Sequence, residues 1–345
     1  MSSKLNVVIT GASGNVGIDV FKKLLSKKDK INLTVFSRNS KKNRKLFKSY
    51  KDEIEIVWGN LLDYEAVKKA IKGQDVVVHL AAVIPPGCYE DNDYTYEVNV
   101  NGTRKILKAM KESEKNPKLI YTSSFAVYGD RLEDPYIKDD DPFNPNDIYG
   151  YTKVEAENLI RASGLDYLIL RLSYCASRRS LGFNTVLFLM PLETRLELID
   201  TRDIGTAIAN ALFVKGVWNN AYNLGGGEDC RIIYRDHLND LFEINGLGRD
   251  LLPEHLFRKK GYCIGYCDTS EVQKLLDYQN HTLEDYYDIA KDESGIEKYI
   301  IPLFRSRVKK YLIKQVDKSG IKEKYRKSQE ELENNLSRFE TIESD

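Results

Sequence analysis

Tyr149 and Lys153 stand four residues apart in the stretch YGYTK. On a helix, that spacing puts both side chains on one face. A lysine ammonium beside a phenol favours the phenolate and lowers the tyrosine pKa toward working pH. A lone Tyr-x-x-x-Lys arises often by chance, and either residue alone reads as surface or amphipathic filler. Here it follows YTSSFAVYG, a strand-like run that delivers Ser123 and Ser124. A serine hydroxyl beside the tyrosine can hydrogen-bond the same substrate oxygen. The three side chains together suit proton transfer at a carbinol oxygen while a hydride leaves its carbon.

A hydride needs an acceptor, and the start of the chain offers a place for one. VVITGASGNVG spans residues 7–17, with glycines at 11, 14 and 17 between a β-branched run and a helical pattern. A tight turn there needs free backbone angles, and a pyrophosphate needs close approach to the N–H groups at a helix start. Gly11, Ser13, Gly14, Asn15, Val16 and Gly17 are therefore the expected dinucleotide loop. An acid some twenty residues later would hold a ribose hydroxyl and select NAD. The chain instead reads FSRNSKKNRK, with Ser37 and Arg38 at that place. A guanidinium fork and a hydroxyl suit a 2′-phosphate, so NADP is the expected cofactor, with NAD as the alternative. Lys41, Lys42 and Arg44 read as a solvated loop.

At these residues the chain resembles the extended branch of the short-chain dehydrogenase/reductase superfamily, the NAD-dependent epimerase/dehydratase family. The carriers are GASGNVG, HLAA (79–82), NVNGT (99–103), SSFAVYG (123–129) and YGYTK (149–153), within roughly residues 5–230. The resemblance implies Tyr149 as acid/base, Lys153 as its tuner and a ribose ligand, and Ser124 as the group orienting the substrate oxygen. It places Asn99 beside the cofactor, Asn60 and Leu61 against the adenine, and Leu80, Ala81 and Ala82 along the cofactor trough. Asn60 stands where the family usually has Asp. Dehydratases and decarboxylases of the family carry acids directly after the serine; here Phe125 and Ala126 stand there, and neither supports elimination. What remains is transient oxidation with return of the hydride, as in a nucleotide-sugar epimerase, or net reduction of a ketone or sugar with NADPH. A cofactor-holding regulator without turnover is the alternative of another class, and the intact Ser124, Tyr149 and Lys153 favour the enzyme. Arg195, near where the family often places a pyrophosphate-binding arginine, and Arg178, with its neighbour Arg179, are candidate substrate ligands; the competing reading makes them surface arginines. The segment after the sixth strand is shorter than the family's usual substrate insertion.

These groups need a scaffold. Strand-like runs LNVVIT, INLTVFSR, EIEIVWGN, DVVVHLAAV, KLIYTSS and DYLILRLS alternate with helical patterns. Such alternation predicts an α/β fold, a doubly wound parallel sheet of Rossmann type, with a smaller C-terminal substrate domain. The expected divisions are 1–172 (the dinucleotide domain with the 149–162 helix), 173–295 (substrate region, partly interleaved) and 296–345 (a charged helical extension). The chain has 345 residues, 52 Lys plus Arg against 52 Asp plus Glu, so nothing global points to nucleic acid or a membrane. Five widely spaced cysteines, with Cys263 and Cys267 lacking a second pair, read as reduced thiols of a cytoplasmic protein rather than a zinc site. The four histidines are scattered, and no metal is expected. Ile300, Leu303, Phe304, Val308, Tyr311 and Leu312 form an apolar stripe amid Arg305, Arg307, Lys309, Lys310 and Lys314. It reads as a helix packed on its own domain or a neighbouring subunit in preference to a membrane-surface helix. Residues 318–345 read as a solvated helix or disordered segment. By resemblance, helices at 92–113 and 149–162, carrying Val98, Ile106, Leu107, Val154 and Leu159, pair across a two-fold axis in a homodimer.

Overall fold

The computed structural model describes residues 3–181, 184–260, 263–295 and 297–340. In chain order the strands are β1 (Leu5–Thr10), β2 (Ile31–Ser37), β3 (Glu55–Trp58), β4 (Val76–His79), β5 (Lys118–Ser124), β6 (Tyr136–Ile137), β7 (Tyr167–Leu172), β8 (Tyr174–Ala176), β9 (Arg195–Asp200), β10 (Asn220–Leu224), β11 (Arg231–Ile233) and β12 (Tyr266–Cys267). The helices are α1 (Asn15–Leu25), α2 (Lys41–Phe47), α3 (Tyr64–Ile71), α4 (Asn92–Tyr96), α5 (Gly102–Lys111), α6 (Ile148–Arg161) and α7 (Thr201–Ala211). Then follow α8 (Tyr234–Ile244), α9 (Ser270–Leu276), α10 (Leu283–Glu293), α11 (Glu297–Ile300), α12 (Arg305–Ser319) and α13 (Ile321–Glu340).

Seven strands form one sheet in the order β10-β7-β5-β4-β1-β2-β3, every pair parallel. Both faces are covered, so successive residues of one strand enter different cores. Val7 and Ile9 of β1 pack with α1 and α7, while Val8 packs with α3, α5 and α6. Val76 and Val78 against Val77, and Leu168 and Leu170 against Ile169, repeat the division. The sheet order reverses direction between β1 and β4, which opens a crevice at the carboxyl ends of those strands.

The last sheet strand, β10, and α7 come from beyond residue 172, so the dinucleotide layer draws on the 173–295 region. The remainder of that region builds a small sheet, β11-β9-β8, antiparallel between β9 and β11, over which α8, α10 and α12 close a second core.

Two readings of the C-terminal part need correction. The apolar stripe of 300–312 is not one face: Leu312 is buried and Val308 half-buried, but Ile300, Leu303, Phe304 and Tyr311 face outward. Tyr311 lies 100° round the helix from Leu312, far enough for one to face solvent while the other is buried. Nor are residues 321–334 a solvated tail. Ile321, Tyr325, Ser328 and Leu332 of α13 are buried against α4, α6 and the turn Gly87–Tyr89. The Ser328 hydroxyl donates to Asn92 Oδ1 (2.6 Å), and Asn92 Nδ2 donates to the Ser328 carbonyl (2.8 Å). Of the residues expected at a dimer interface, Val98, Ile106 and Leu107 pack into the core beneath the sheet.

Candidate active site

The loop after β1 is shaped by contact. Gly11 has φ +75°, and a Cβ there would lie 2.7 Å from the Ala81 nitrogen. A Cβ on Gly17 would lie 2.0 Å from the Gly11 carbonyl oxygen, so only glycine lets α1 press onto the loop. The first turn of α1 has neither a side-chain cap nor an acid. Its leading N–H groups and the positive helix end are left for an anion.

Gly11, Ser13, Gly14, Asn15, Val16 and Gly17 line one cavity of about 510 Å³, together with Ser37, Arg38, Asn60, Leu61, Leu80, Ala81, Ala82, Ser124, Tyr149 and Lys153. Sixteen of the expected site positions thus share one crevice at the carboxyl ends of β1, β2, β4 and β5. Ser37 is buried and its hydroxyl accepts from Asn43 Nδ2 (2.9 Å), while Arg38 is exposed at the rim. Asn43, unforeseen from sequence, also donates to the Arg38 carbonyl (2.9 Å) and so fixes the turn that presents the guanidinium. Asp147 is the one acid among the described lining residues, and none stands at the end of β2.

The trough of Leu80–Ala82 is held from behind. Thr10 Oγ1 accepts from the Ala81 N–H (3.2 Å) and bonds His79 Nδ1 (2.7 Å). His79 is buried, its pKa pushed down to about 3 by desolvation, with the Lys153 charge adding to the effect. It is a neutral structural imidazole. Asn99 does not line the cavity: its Oδ1 accepts from the Val83 N–H (2.7 Å) and its Nδ2 donates to the Val83 carbonyl (3.0 Å) and Thr152 Oγ1 (3.1 Å). Asn99 thus ties the trough to α6 through Val83 and Thr152. It sits in a single π-turn, Glu97–Asn101, which offsets the helix there.

Ser124 ends β5, and its hydroxyl accepts from the Ala126 N–H (3.2 Å) while hydrogen-bonding Tyr149. Gly150 brings the two elements together, since a Cβ there would lie 2.4 Å from the Ala126 oxygen. Asp147 caps α6 through the Gly150 N–H (2.7 Å) and accepts from the Tyr89 hydroxyl (2.7 Å). Tyr149, Lys153 and Glu157 follow at four-residue intervals along one stripe of α6. Lys153 Nζ donates to the Thr122 carbonyl (2.8 Å) and to the Tyr121 hydroxyl (3.1 Å), and lies 5.8 Å from the Tyr149 ring centroid.

The electrostatics differ from the expectation. Burial pushes the Tyr149 phenol up, with the Ser124 hydrogen bond working against it. Burial lowers Lys153 to about 7, and Glu157 raises it only in part, because that carboxylate is paired with buried Arg171 at 2.8 Å. In the chain alone Tyr149 therefore stays protonated, while Lys153 is poised to lose or gain its proton near neutrality. Lys153 does not lower the tyrosine pKa by itself, because its ammonium is turned toward β5 and partly discharged.

The expected substrate arginines lie elsewhere. Arg178 is exposed and paired with Glu293, and Arg195 donates to the Leu132 carbonyl at 3.3 Å; neither lines the cavity. Arg179 instead reaches the Ser13 carbonyl (3.5 Å), over the glycine loop. The cavity wall beyond Tyr149 carries Tyr89, Tyr174, Cys175, Val186, Leu187 and Cys263. Cys267, four residues from Cys263, is turned away beneath Glu197.

Residues 7–225 match the model of the NAD dependent epimerase/dehydratase family. The chain belongs to that family. Family membership agrees with the fold and with the convergence of the loop, trough and Tyr149–Lys153 stripe. Over 178 residues, 49% of this chain and 54% of the relative, it is 32% identical to D-erythronate dehydrogenase of Cupriavidus necator. Over 162 residues, 45% and 43% respectively, it is 36% identical to N-acetyl-alpha-D-glucosaminyl-diphospho-ditrans,octacis-undecaprenol 4-epimerase of Escherichia coli O157:H7. The chain thus spans about half the length of these curated relatives. Its fold is similar to that of UDP-glucuronic acid 4-epimerase from Bacillus cereus, solved with NAD: TM-score 0.68, 20% identity, 84% of this chain and 96% of the other.

Proposed function

We propose that this family member is an enzyme that moves a hydride between a secondary carbinol carbon and a nicotinamide dinucleotide, with NADP preferred and NAD accepted. The observation that carries this reading is the convergence of Ser124, Tyr149 and Lys153 on the cavity that the glycine loop opens. The residues fit the cofactor: the loop's close contacts leave room for a diphosphate, and the uncapped α1 supplies donors. When bound, the nicotinamide takes up or gives back the hydride, and its oxidised form adds a positive charge to the site.

The chain's own residues do the rest. Ser124 donates to the reacting oxygen and orients it. Tyr149, as phenolate, takes the carbinol proton while the carbon loses hydride and becomes a carbonyl; in the reverse direction the phenol returns the proton. Lys153, charged, stabilises the phenolate. An added positive charge favours the Tyr149 phenolate, which burial alone opposes. Phe125 and Ala126 supply no acid for elimination. Arg38, with no acid at the end of β2, supports the preference for a 2′-phosphate.

Within this chemistry, the leading reading is a nucleotide-sugar epimerase, in which the hydride returns to the opposite face of the same carbonyl. Two of the three proteins reported above are named as 4-epimerases, one of them of a UDP-sugar, and the third as a dehydrogenase. A second reading, net reduction of an uncharged carbonyl compound, is favoured by the cavity wall: among its described residues Arg38 and Lys153 are the only cations, and none is offered to a substrate diphosphate. Incubation with UDP-glucose, UDP-galactose and their GDP and dTDP counterparts, with and without NADPH, separates the two. Interconversion without coenzyme consumption supports the epimerase. Loss of reduced-nicotinamide absorbance in step with product supports the reductase. Binding of NADPH with no turnover on these or on a ketone panel would sink both in favour of a cofactor-holding regulator.

The homodimer remains part of the proposal. Because α13 lies on α4 and α6, a dimer formed through those helices must include α13 in its interface or displace it.

A further inference from the structure

The outward surface of α11, α12 and the turn Ile301–Phe304 between them is left unused by the proposed chemistry. Tyr299 (74% exposed), Leu303 (80%), Ile300, Phe304 and Tyr311 present apolar and aromatic surface to solvent. Residues 298–314 carry Lys298, Arg305, Arg307, Lys309, Lys310 and Lys314 and not one Asp or Glu. At 100° per residue, Phe304, Arg307, Lys310, Tyr311, Lys314 and Lys318 fall on one side of the helix. The opposite side, Leu312 and Val316 with half-buried Val308 and Ile313, is the one packed on the protein. The helix is thus fastened by one apolar edge and exposes another, with cations between. Arg305 anchors its start by donating to the Leu247 (2.5 Å) and Arg249 (2.9 Å) carbonyls. The Arg307 guanidinium lies 5.7 Å from the Phe304 ring centroid and Lys298 Nζ 5.5 Å from that of Tyr299, so charge and apolar surface alternate along the patch.

We propose that this face docks the protein on an anionic lipid bilayer. Complementarity decides the occupant. The exposed Leu303 and Ile300 join three exposed aromatic rings in one patch, and the 298–314 run that carries them holds six cations and no acid before exposed Asp317. Aromatic and aliphatic side chains that enter the headgroup boundary, bordered by lysines and arginines, are what an interfacial helix presents to such a surface. The position gives docking a use. α12 and α13 pack on the turn Thr185–Leu189, whose Val186 and Leu187 line the cavity wall beyond Tyr149. A bilayer held by α12 would lie one layer of chain away from the substrate end of the crevice. A substrate carrying a lipid tail would then reach Tyr149 from the membrane plane. The inference rests on this surface and not on the reaction assigned above.

The test is co-sedimentation of the full chain with phosphatidylcholine vesicles, alone and with phosphatidylglycerol added. Binding is expected only with the anionic lipid, and it should weaken as salt rises. Leu303→Asp with Phe304→Asp should abolish it. Each lysine removed, as in Lys310→Gln and Lys314→Gln, should weaken it about five-fold. All four positions are exposed, so the melting temperature should stay that of the parent, which keeps a folding defect distinguishable from a docking defect. Absence of binding at low salt, or binding that these substitutions leave unchanged, would overturn the proposal. So would light scattering that shows a dimer which Leu303→Asp reduces to a monomer, since a second copy would then cover the face.

Discussion

At the scale of single residues, burial holds Tyr149 protonated and brings Lys153 to about 7. Tyr149→Phe should keep the fold and the affinity for NADPH and lose at least a thousand-fold in turnover, since Ser124 cannot take the proton. Stopped-flow or steady-state rates beside a cofactor titration check this; normal turnover would refute the acid/base role. Lys153 makes a prediction of a different kind. Unfolded, it titrates near its ordinary value of 10.5; folded, near 7. Between those values the unfolded chain holds a proton the folded one lacks, so stability rises with pH in this window, by up to about 1.4 kcal/mol per unit. Below about 7 both states hold the proton, and the cost of burying the ammonium is fully present. Lys153→Met should therefore be inactive and, relative to the parent, most stabilised near neutral pH, with the gap closing toward pH 10. Melts across that range that run parallel for parent and variant would disprove it. Arg38→Ala should weaken NADPH at least ten-fold more than NADH, because it removes the fork at the cavity rim; equal losses in a titration would end the argument for NADP.

At the scale of elements, the sequence could be read wherever the signal was local. The glycine loop, the strands and the Tyr149–Lys153 stripe depend on spacing within one strand–turn–helix unit, and the structure brings those residues together. Asn43, Asp147 and Gly150 are equally local, yet they act through the backbone they hold, which a search for reactive side chains overlooks. Arg178 and Arg195 lie off the cavity lining, and their placement depends on the path of 177–195, where neither periodicity nor a motif fixes the chain. Asn99, expected beside the cofactor, spends its side-chain amide on the backbone of the trough. Its two bonds to Val83 make it the clamp of the trough. Asn99→Ala leaves the Val83 N–H without that partner and should cost about 1–3 kcal/mol of stability. NADPH affinity should fall with it while the pH dependence of turnover stays that of the parent, since no titrating group changes. A variant with parental melting temperature and affinity would show that the trough holds itself.

At the scale of the whole molecule, a nearly even charge and a familiar parallel sheet concealed the C-terminal part. Half of the residues of α13 are charged, and among those up to residue 334 Ile321, Tyr325, Ser328 and Leu332, at intervals of four, three and four residues, mark its buried stripe. Tyr325 packs edge-on to Tyr89 at 5.0 Å between centroids, and the Tyr89 hydroxyl holds Asp147 at the start of α6. Tyr325→Ala should lower stability by about 3 kcal/mol or more and reduce turnover beyond what the unfolded fraction explains; thermal melts with rates per folded molecule measure both. The same contact has a consequence for the order in which the protein is made. Asn92 and Ser328 are separated by 236 residues, so the wall behind Tyr89 waits for nearly the whole chain. During synthesis the glycine loop, β1 to β5 and α6 leave the ribosome long before α13 does, and the crevice stands open on that side until the end. A nascent chain halted before residue 321 would hold a dinucleotide loop and a tyrosine–lysine pair beside an uncovered apolar face. Such a chain is expected to bind an apolar-surface dye that the chain carrying α13 does not.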